Sequence, residues 1–350
     1  MAFTIAQILD FLGSDVIDQG DVQTDQNLQK QISKIAALDD ATDSDITFIA
    51  NPLFESKLQT TGAGAVLVPA SLQEKSPSHS VAIVVKSPYA AYAKLTALFE
   101  PTQAYHQTVN PSLSDSLIHP TAILGNNLQL GDNVRIGAYS QIGDNCVIGD
   151  GVKIDAQVNI QPNVVIGEGS LIAPHVYIGH DCILGKHVSL HSHASIGNDG
   201  FGFAPKGSTD EAGWQKIHQL GRVILGDHVS VGSHTCIDRG AINDTVIGNH
   251  VIIDNLVQIA HNVKIGAGTA IAACVGIAGS TEIGKRCMIG GASGFAGHIK
   301  ICDDVTITGM TMVTKSIHQP GVYSSGMPVM PNSLWKRAYI NFKQLGKPKS

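Results

Sequence analysis

The sequence predicts a mostly β chain built around a parallel β-helix of hexapeptide repeats, and three observations carry that prediction. Aliphatic residues recur at every sixth position over most of the stretch from Ile118 to Val313. A second small or aliphatic position follows most of them by four residues. Glycine is abundant, at 37 of 350 residues, while charged residues make up only 15%, a balance that suits turns better than helical surface.

The repeat sets the elements one by one. Ile118, Leu124, Leu130, Ile136, Ile142, Ile148, Ile154, Ile160, Ile166, Ile172, Ile178, Leu184, Leu190 and Ile196 hold a register of six without a break. It resumes at Leu225, Val231 and Ile237, slips by four residues, and continues from Ile247 to Val313. Neither the 3.6 period of a helix nor the strict alternation of a lone strand fits. Two inward positions per hexad specify a short strand and a turn, and three hexads close one triangular coil of 18 residues. The 29 hexads make between nine and ten coils, roughly 45 Å tall at about 4.8 Å per coil. Cys146, Cys182 and Cys287 fall on inward positions and read as core residues, with no catalytic thiol among them.

The flanks read differently. Residues 1–110 lack the hexad and show helix-like stretches (Thr4–Leu12, Tyr89–Phe99) and strand-like ones (Ile46–Ile49, Ala65–Val68, Val81–Val85), the pattern of a small α/β domain. A linker is expected from Pro101 to Pro111, and the β-helix domain is expected over 111–318. The segment Gly200–Arg222, containing GFGFAPKGSTDEAGW, interrupts the wall between coils, and long loops on repeat proteins usually serve binding. Residues 319–350 form an extension in which Ser333–Leu345 has helical spacing.

Composition limits function. The first 13 residues lack a basic start and carry Asp10, and no run of 18 apolar residues occurs, so neither a secretory signal nor an integral membrane segment is expected. The six cysteines have no metal-type spacing; a cytoplasmic, disulfide-free protein without metal or cofactor is the expectation. Net charge is −6, and no nucleic-acid partner is expected. After Asp304, however, no acid follows, whereas Lys315, Lys336, Arg337, Lys343, Lys347 and Lys349 do, leaving a basic end that suits an acidic partner.

Fifteen histidines offer too many candidates for chemistry, and most read as surface residues. One column stands out by arithmetic: His261, Gly279, Gly297 and Lys315 are each 18 apart and stack on one edge. Asn262, Ser280, His298 and Ser316 flank it on one side, and Ala260, Ala278, Ala296 and Thr314 on the other. Small residues around two histidines leave a groove for an extended ligand and free backbone N–H groups, although they also suit tight turns. An imidazole can take a proton from an attacking amine or hydroxyl, and backbone N–H groups can stabilise an oxyanion. That combination points to acyl transfer.

The stretches ITFIANPLF, GNDGFGFA, IDRGAINDTVIG, IIDNLVQIAHNVKIG, MIGGASGFAGHIKI and PGVYSSGMP resemble the UDP-3-O-acylglucosamine N-acyltransferases of lipid A biosynthesis over nearly the whole chain. The resemblance implies a left-handed β-helix and a homotrimer. It also implies transfer of a 3-hydroxyacyl chain from acyl carrier protein to the 2-amine of a UDP-linked glucosamine. It assigns His261 as general base, His298 to substrate binding and transition-state support, Gly279 to the oxyanion, and Asp254 to orienting His261. Phe48 and Asn51 match a uracil-binding motif by stacking and hydrogen bonding, with Phe54 standing where the family often has tyrosine. Met310 and Met312 match a stretch bordering the acyl channel, where Thr314 replaces a frequent methionine. Lys315, Lys336 and Arg337 would then dock the acidic carrier.

Three other readings compete. Another hexapeptide acyltransferase, using CoA or adding the O-linked chain, fits the β-helix but not the N-terminal domain. A zinc-dependent γ-class carbonic anhydrase could use His175 and His180, but a third ligand about 20 residues earlier is missing. A non-catalytic scaffold is the third.

Overall fold

A computed structural model describes residues 2–18, 25–99, 118–207, 213–326 and 329–345. The chain divides into two compact units, Met1–Pro111 and Ser112–Ser350. The linker expected over Pro101–Pro111 lies outside the described residues, as do Lys347 and Lys349.

In the first unit, Thr4 caps the helix Ile5–Leu12 through a reciprocal bond pair with Gln7, satisfying two donors that the helix start would otherwise leave open. Ile5, Ile8, Leu9 and Leu12 point into the core. The sheet runs Val16–Asp18, Val81–Val85, Ala65–Val68, Asp45–Phe48 and Lys34–Ile35, with only the first pair antiparallel. Ala65–Val68 is buried along its whole length, as a central parallel strand covered on both sides should be. The helix Pro88–Phe99 packs against the same core through Ala91 and Leu95.

The second unit is the β-helix. Its strands form three parallel sheets of ten, ten and nine, the first face beginning with Arg135–Ile136, the second with Ile123–Leu124 and the third with Gln129–Leu130, so each coil contributes one short strand to each of three faces. Residues eighteen apart pair, as Ile136 does with Ile154 and Ile142 with Ile160. From Leu124 onward each hexad anchor sits in its strand and, beyond the first coil, is buried. The fourth position after it is buried as well, as Val134, Cys146, Val152 and Val158 illustrate. Where that position carries a hydroxyl, the group mostly donates to a backbone carbonyl of the next coil, as Ser140 does to Asp155 and Thr281 to Ala296. A buried polar group is tolerated there because it is paired. Burial pushes the Cys182 thiol up to about 11, which makes it an inert core residue.

The corners explain seven of the fifteen histidines. Each turn places its third residue in the left-handed region, with φ near 60° at Asn145, His175, His193, His234 and His298. Asparagine and histidine tolerate that conformation better than branched residues do. Repetition then stacks them: His175, His193 and His234 form a column with ring centroids 4.7 and 4.8 Å apart. His187, His228 and His250 form another on a second corner, at 5.0 and 4.8 Å. These side chains belong to the architecture of the turns.

The strand Gly321–Tyr323 extends the first face past the last hexad. The terminal helix Asn332–Leu345 buries none of its residues and leaves Leu334, Trp335, Tyr339, Phe342 and Leu345 exposed. No helix among the described residues is long and apolar enough to cross a membrane.

Candidate active site

Both interruptions of the repeat emerge from one corner, between the second and third faces, and that corner carries His261. The first, residues 199–222, leaves after Ser195–Asn198 and returns at Val223–Leu225, so that Ile183 pairs with Ile224 across it. The second, residues 239–244, is the four-residue slip. Arg239 holds the two together: its side chain is buried and donates to the carbonyls of Gly221, at 2.7 Å, and of His180, at 3.1 Å.

His261 is half-buried between the first loop and the next coil. A methyl group at Gly200 would come 3.0 Å from its Cβ and 3.3 Å from its Cδ2. On the other side, a methyl at Gly279 would come 2.6 Å from both Cε1 and Nε2. Only glycine fits at Gly279 with the ring in place.

The tautomer follows from the neighbours. Asn262 Nδ2 donates to the Asn243 carbonyl at 2.8 Å, and Asn262 Oδ1 accepts the Ala241 N–H at 3.0 Å. Its amide orientation is therefore set. The contact between Oδ1 and His261 Nδ1, 3.1 Å, must then be donated by Nδ1–H. In the neutral ring Nε2 therefore carries the lone pair, and it lies on the side of Gly279. Among the described residues no acceptor takes the Gly279 N–H. A base and an unpaired donor thus meet at one point on the edge.

The sequence-predicted residues separate into those this edge gathers and those it does not. Gly279 and His261 are in contact. His298 lies at the same edge two coils on, roughly 10 Å along the axis at about 4.8 Å per coil, exposed in its left-handed turn. Lys315 is exposed one coil beyond Gly297. Met312 lies on the outward side of the second face, its Sδ 3.0 Å from where a methyl at Gly294 would stand, while Gly276 below it opens onto free space. Gly276 and Gly294 stand in register below Met312 and leave that strip of the face without side chains. Met310 sits on a different corner, exposed, in a left-handed turn.

Asp254 stands apart from His261 within this chain. It follows the first-face strand Ile252–Ile253, whereas His261 follows the second-face strand Gln258–Ile259. The two occupy successive corners, and the Asp254 carboxylate accepts the Asn255 N–H instead. Asp238, one coil below, is an acid whose charge interacts with His261. Burial raises its pKa above the usual carboxylate range, with the Gln258 amide bond (2.9 Å) and His261 partly offsetting that. Asp238 continues the column of Ala260, Ala278 and Ala296 downward; the four-residue slip disguises that register. His175 and His180 also part company on neighbouring corners, and no group of three or more potential ligands among the described residues is placed to hold a metal.

In the N-terminal unit Phe48 is stacked on Tyr92, with centroids 4.2 Å apart, and Tyr89 lies 6.0 Å away. The two tyrosines were not expected from the motif. Asn51 Oδ1 accepts the Leu53 N–H, and Phe54 is exposed beneath the Lys57 ammonium.

A hexapeptide β-helix carrying a half-buried histidine packed against a glycine of the next coil fits the hexapeptide acyltransferase class. Bacterial transferase hexapeptide repeats match residues 145–180, 163–198 and 244–279, and the profile described as UDP-3-O-(3-hydroxymyristoyl) glucosamine N-acyltransferase matches residues 29–98. The chain is 52% identical over 332 residues to the UDP-3-O-acylglucosamine N-acyltransferase of Psychrobacter arcticus, covering 95% of each. It is 43% identical to the protein of the same description from Bordetella pertussis, covering 90% of this chain and 86% of that one. Among solved structures, a UDP-N-acetylglucosamine acyltransferase from Campylobacter jejuni matches at 20% identity with a TM-score of 0.45, covering 67% of this chain and 86% of that one. The chain belongs to the UDP-3-O-acylglucosamine N-acyltransferase family.

Proposed function

We propose that the chain transfers a 3-hydroxyacyl group from the thioester of acyl carrier protein to the 2-amine of UDP-3-O-(3-hydroxyacyl)-glucosamine, with His261 as general base. The observation that carries this reading is the Asn262 bond, which in the neutral imidazole puts the proton on Nδ1 and so the lone pair on Nε2, on the side of Gly279. The amine attacks the thioester carbonyl, and Nε2 takes a proton from the nitrogen as the bond forms. The Gly279 N–H receives the oxyanion. Collapse breaks the carbon–sulfur bond, and the imidazolium returns its proton to the departing thiolate. The Asp238 carboxylate faces the imidazolium while that charge exists.

The remaining assignments follow the groove. His298 binds the acceptor beyond the reacting centre, and the strip over Gly276 and Gly294 takes the acyl chain, with Met312 at its end and Met310 beside it. Phe48 and Asn51, with Tyr89 and Tyr92, bind the uracil. Lys315, Lys336 and Arg337 dock the carrier. The enzyme acts in the cytoplasm as a homotrimer. Incubating the purified chain with the acceptor and a 3-hydroxyacyl carrier thioester should yield the amide, detected by mass spectrometry. Failure to form it, or equal use of a CoA thioester, would overturn the proposal.

A further inference from the structure

Gln219 stands out among the buried polar groups. Four side-chain atoms among the described residues are buried without a partner, and Gln219 Oε1 is the one that belongs to the β-helix unit. The residue is only 6% exposed. Its Nε2 donates to the Ile217 carbonyl at 3.0 Å, which sets the amide orientation and leaves Oε1 as a bare acceptor. Burying an acceptor unpaired costs about 1–3 kcal/mol, and such a group calls for a reason.

Its position supplies one. Gln219 lies at the returning end of the loop that covers His261. A methyl at Gly200 would come 3.2 Å from Gln219 Oε1 and 3.0 Å from His261 Cβ, so the two side chains flank the same glycine. Gly202 is equally constrained, since a methyl there would come 2.5 Å from Gln219 Nε2. The loop's glycines therefore let Gln219 approach the base. A methyl at Gly200 would meet the ring at Cδ2 and one at Gly279 would meet it at Cε1, and Nε2 lies between those atoms.

We propose that Gln219 Oε1 determines donor specificity by accepting a hydrogen bond from the 3-hydroxyl of the acyl group as it is transferred at His261. The proposal rests on the acyl-transfer reading above. The hydroxyl oxygen is three bonds from the reacting carbonyl carbon, so it must enter the immediate surroundings of the base. A hydroxyl is a donor, and Oε1 can only accept. A site built around such an acceptor disfavours a chain lacking the hydroxyl, because the oxygen is then left unpaired. Amide N–H groups of the carrier's pantetheine arm and the acceptor amine share this chemistry, and the choice of donor separates them from the hydroxyl.

The test compares carrier thioesters of a 3-hydroxyacyl chain and of the unsubstituted chain of equal length, on the wild type and on Gln219→Met. Methionine keeps the volume and removes the acceptor. The wild type should favour the 3-hydroxyacyl donor by about tenfold in kcat/KM, the scale of one hydrogen bond. Gln219→Met should lose that advantage while its rate with the unsubstituted donor stays within about twofold, which also shows that the site is folded. The wild-type comparison deletes the same bond from the substrate side without touching the fold. Equal use of the two donors by the wild type would overturn the proposal, as would a loss in Gln219→Met that falls equally on both donors. If the wild type forms no amide from either donor, the acyl-transfer reading fails and this proposal falls with it.

Discussion

The imidazole of His261 lies so close to the backbone of Gly279 that a methyl group there would stand 2.6 Å from Nε2. The contact explains the glycine sterically, and it places an unpaired N–H beside the base. Gly279→Ala should therefore displace the ring and disturb the oxyanion donor together. Removing one such donor typically costs on the order of 10²–10³ in kcat. The three atoms nearest that methyl all belong to His261, so the melting temperature should hold within a few degrees. A variant with normal turnover would show that the contact has no part in catalysis.

His261→Ala and His298→Ala should differ in kind. Loss of a general base lowers kcat by roughly 10²–10⁴, and the half-buried edge position should leave the coils intact. His298, two coils away, should act mainly through KM for the acceptor. Steady-state kinetics at varied acceptor concentration separates the two, and an unchanged acceptor KM in His298→Ala would remove that residue from the binding site.

Asp238 offers a pH test with a definite sign. Burial holds its carboxyl above the usual range in the fold, so the folded state binds that proton more tightly than the unfolded one. The carboxylate's cost to stability is absent below the unfolded pKa, about 4, and develops as pH rises through the folded value. Asp238→Asn does not titrate and still offers the Gln258 amide an oxygen. Relative to the wild type the variant should gain stability between pH 4 and neutrality, read from urea midpoints. Its kcat should fall several-fold, since the imidazolium loses a facing negative charge. A stability difference that does not change with pH would refute the assignment.

Much of this was legible in the chain because the hexad is a strict code. Two inward positions per six residues specify strand, turn and stacking at once, and eighteen-residue arithmetic then aligns His261 with Gly279 across coils. The N-terminal strands at Ala65–Val68 and Val81–Val85 were equally plain from continuous apolar runs. What stayed hidden depended on contacts that no period encodes. Asp238 was masked by the four-residue slip, and Asp254, seven residues before His261, proved to lie on another corner. Gln219 comes to the base through an irregular loop whose path is set by Arg239 and its two carbonyl partners. Tyr92 reaches Phe48 only after the helix Pro88–Phe99 packs on the sheet.

Met312 closes the strip that begins at Gly276, with its sulfur against Gly294. Shortening it should extend the strip. Each buried methylene contributes about 0.8 kcal/mol, so Met312→Ala should raise kcat/KM for a donor two carbons longer by roughly tenfold relative to the wild-type preference. An unchanged chain-length profile across a donor series would place the acyl chain elsewhere.

The C-terminal helix carries Lys336 and Arg337 exposed, with no acid after Asp304. Acyl carrier protein is small and acidic, and attraction between opposite charges speeds encounter in a way that salt screens over about 8–10 Å. Reversing both residues to glutamate should raise KM for the carrier thioester and flatten the salt dependence of kcat/KM, because the steering charge has changed sign. Binding of the UDP-sugar should be untouched, since Phe48, Tyr89 and Tyr92 belong to the other unit. A short acyl-pantetheine donor is the decisive control: it has no acidic surface to steer. If the double reversal slows that donor as much as the carrier thioester, the helix supports the fold or the site itself and does not receive the carrier.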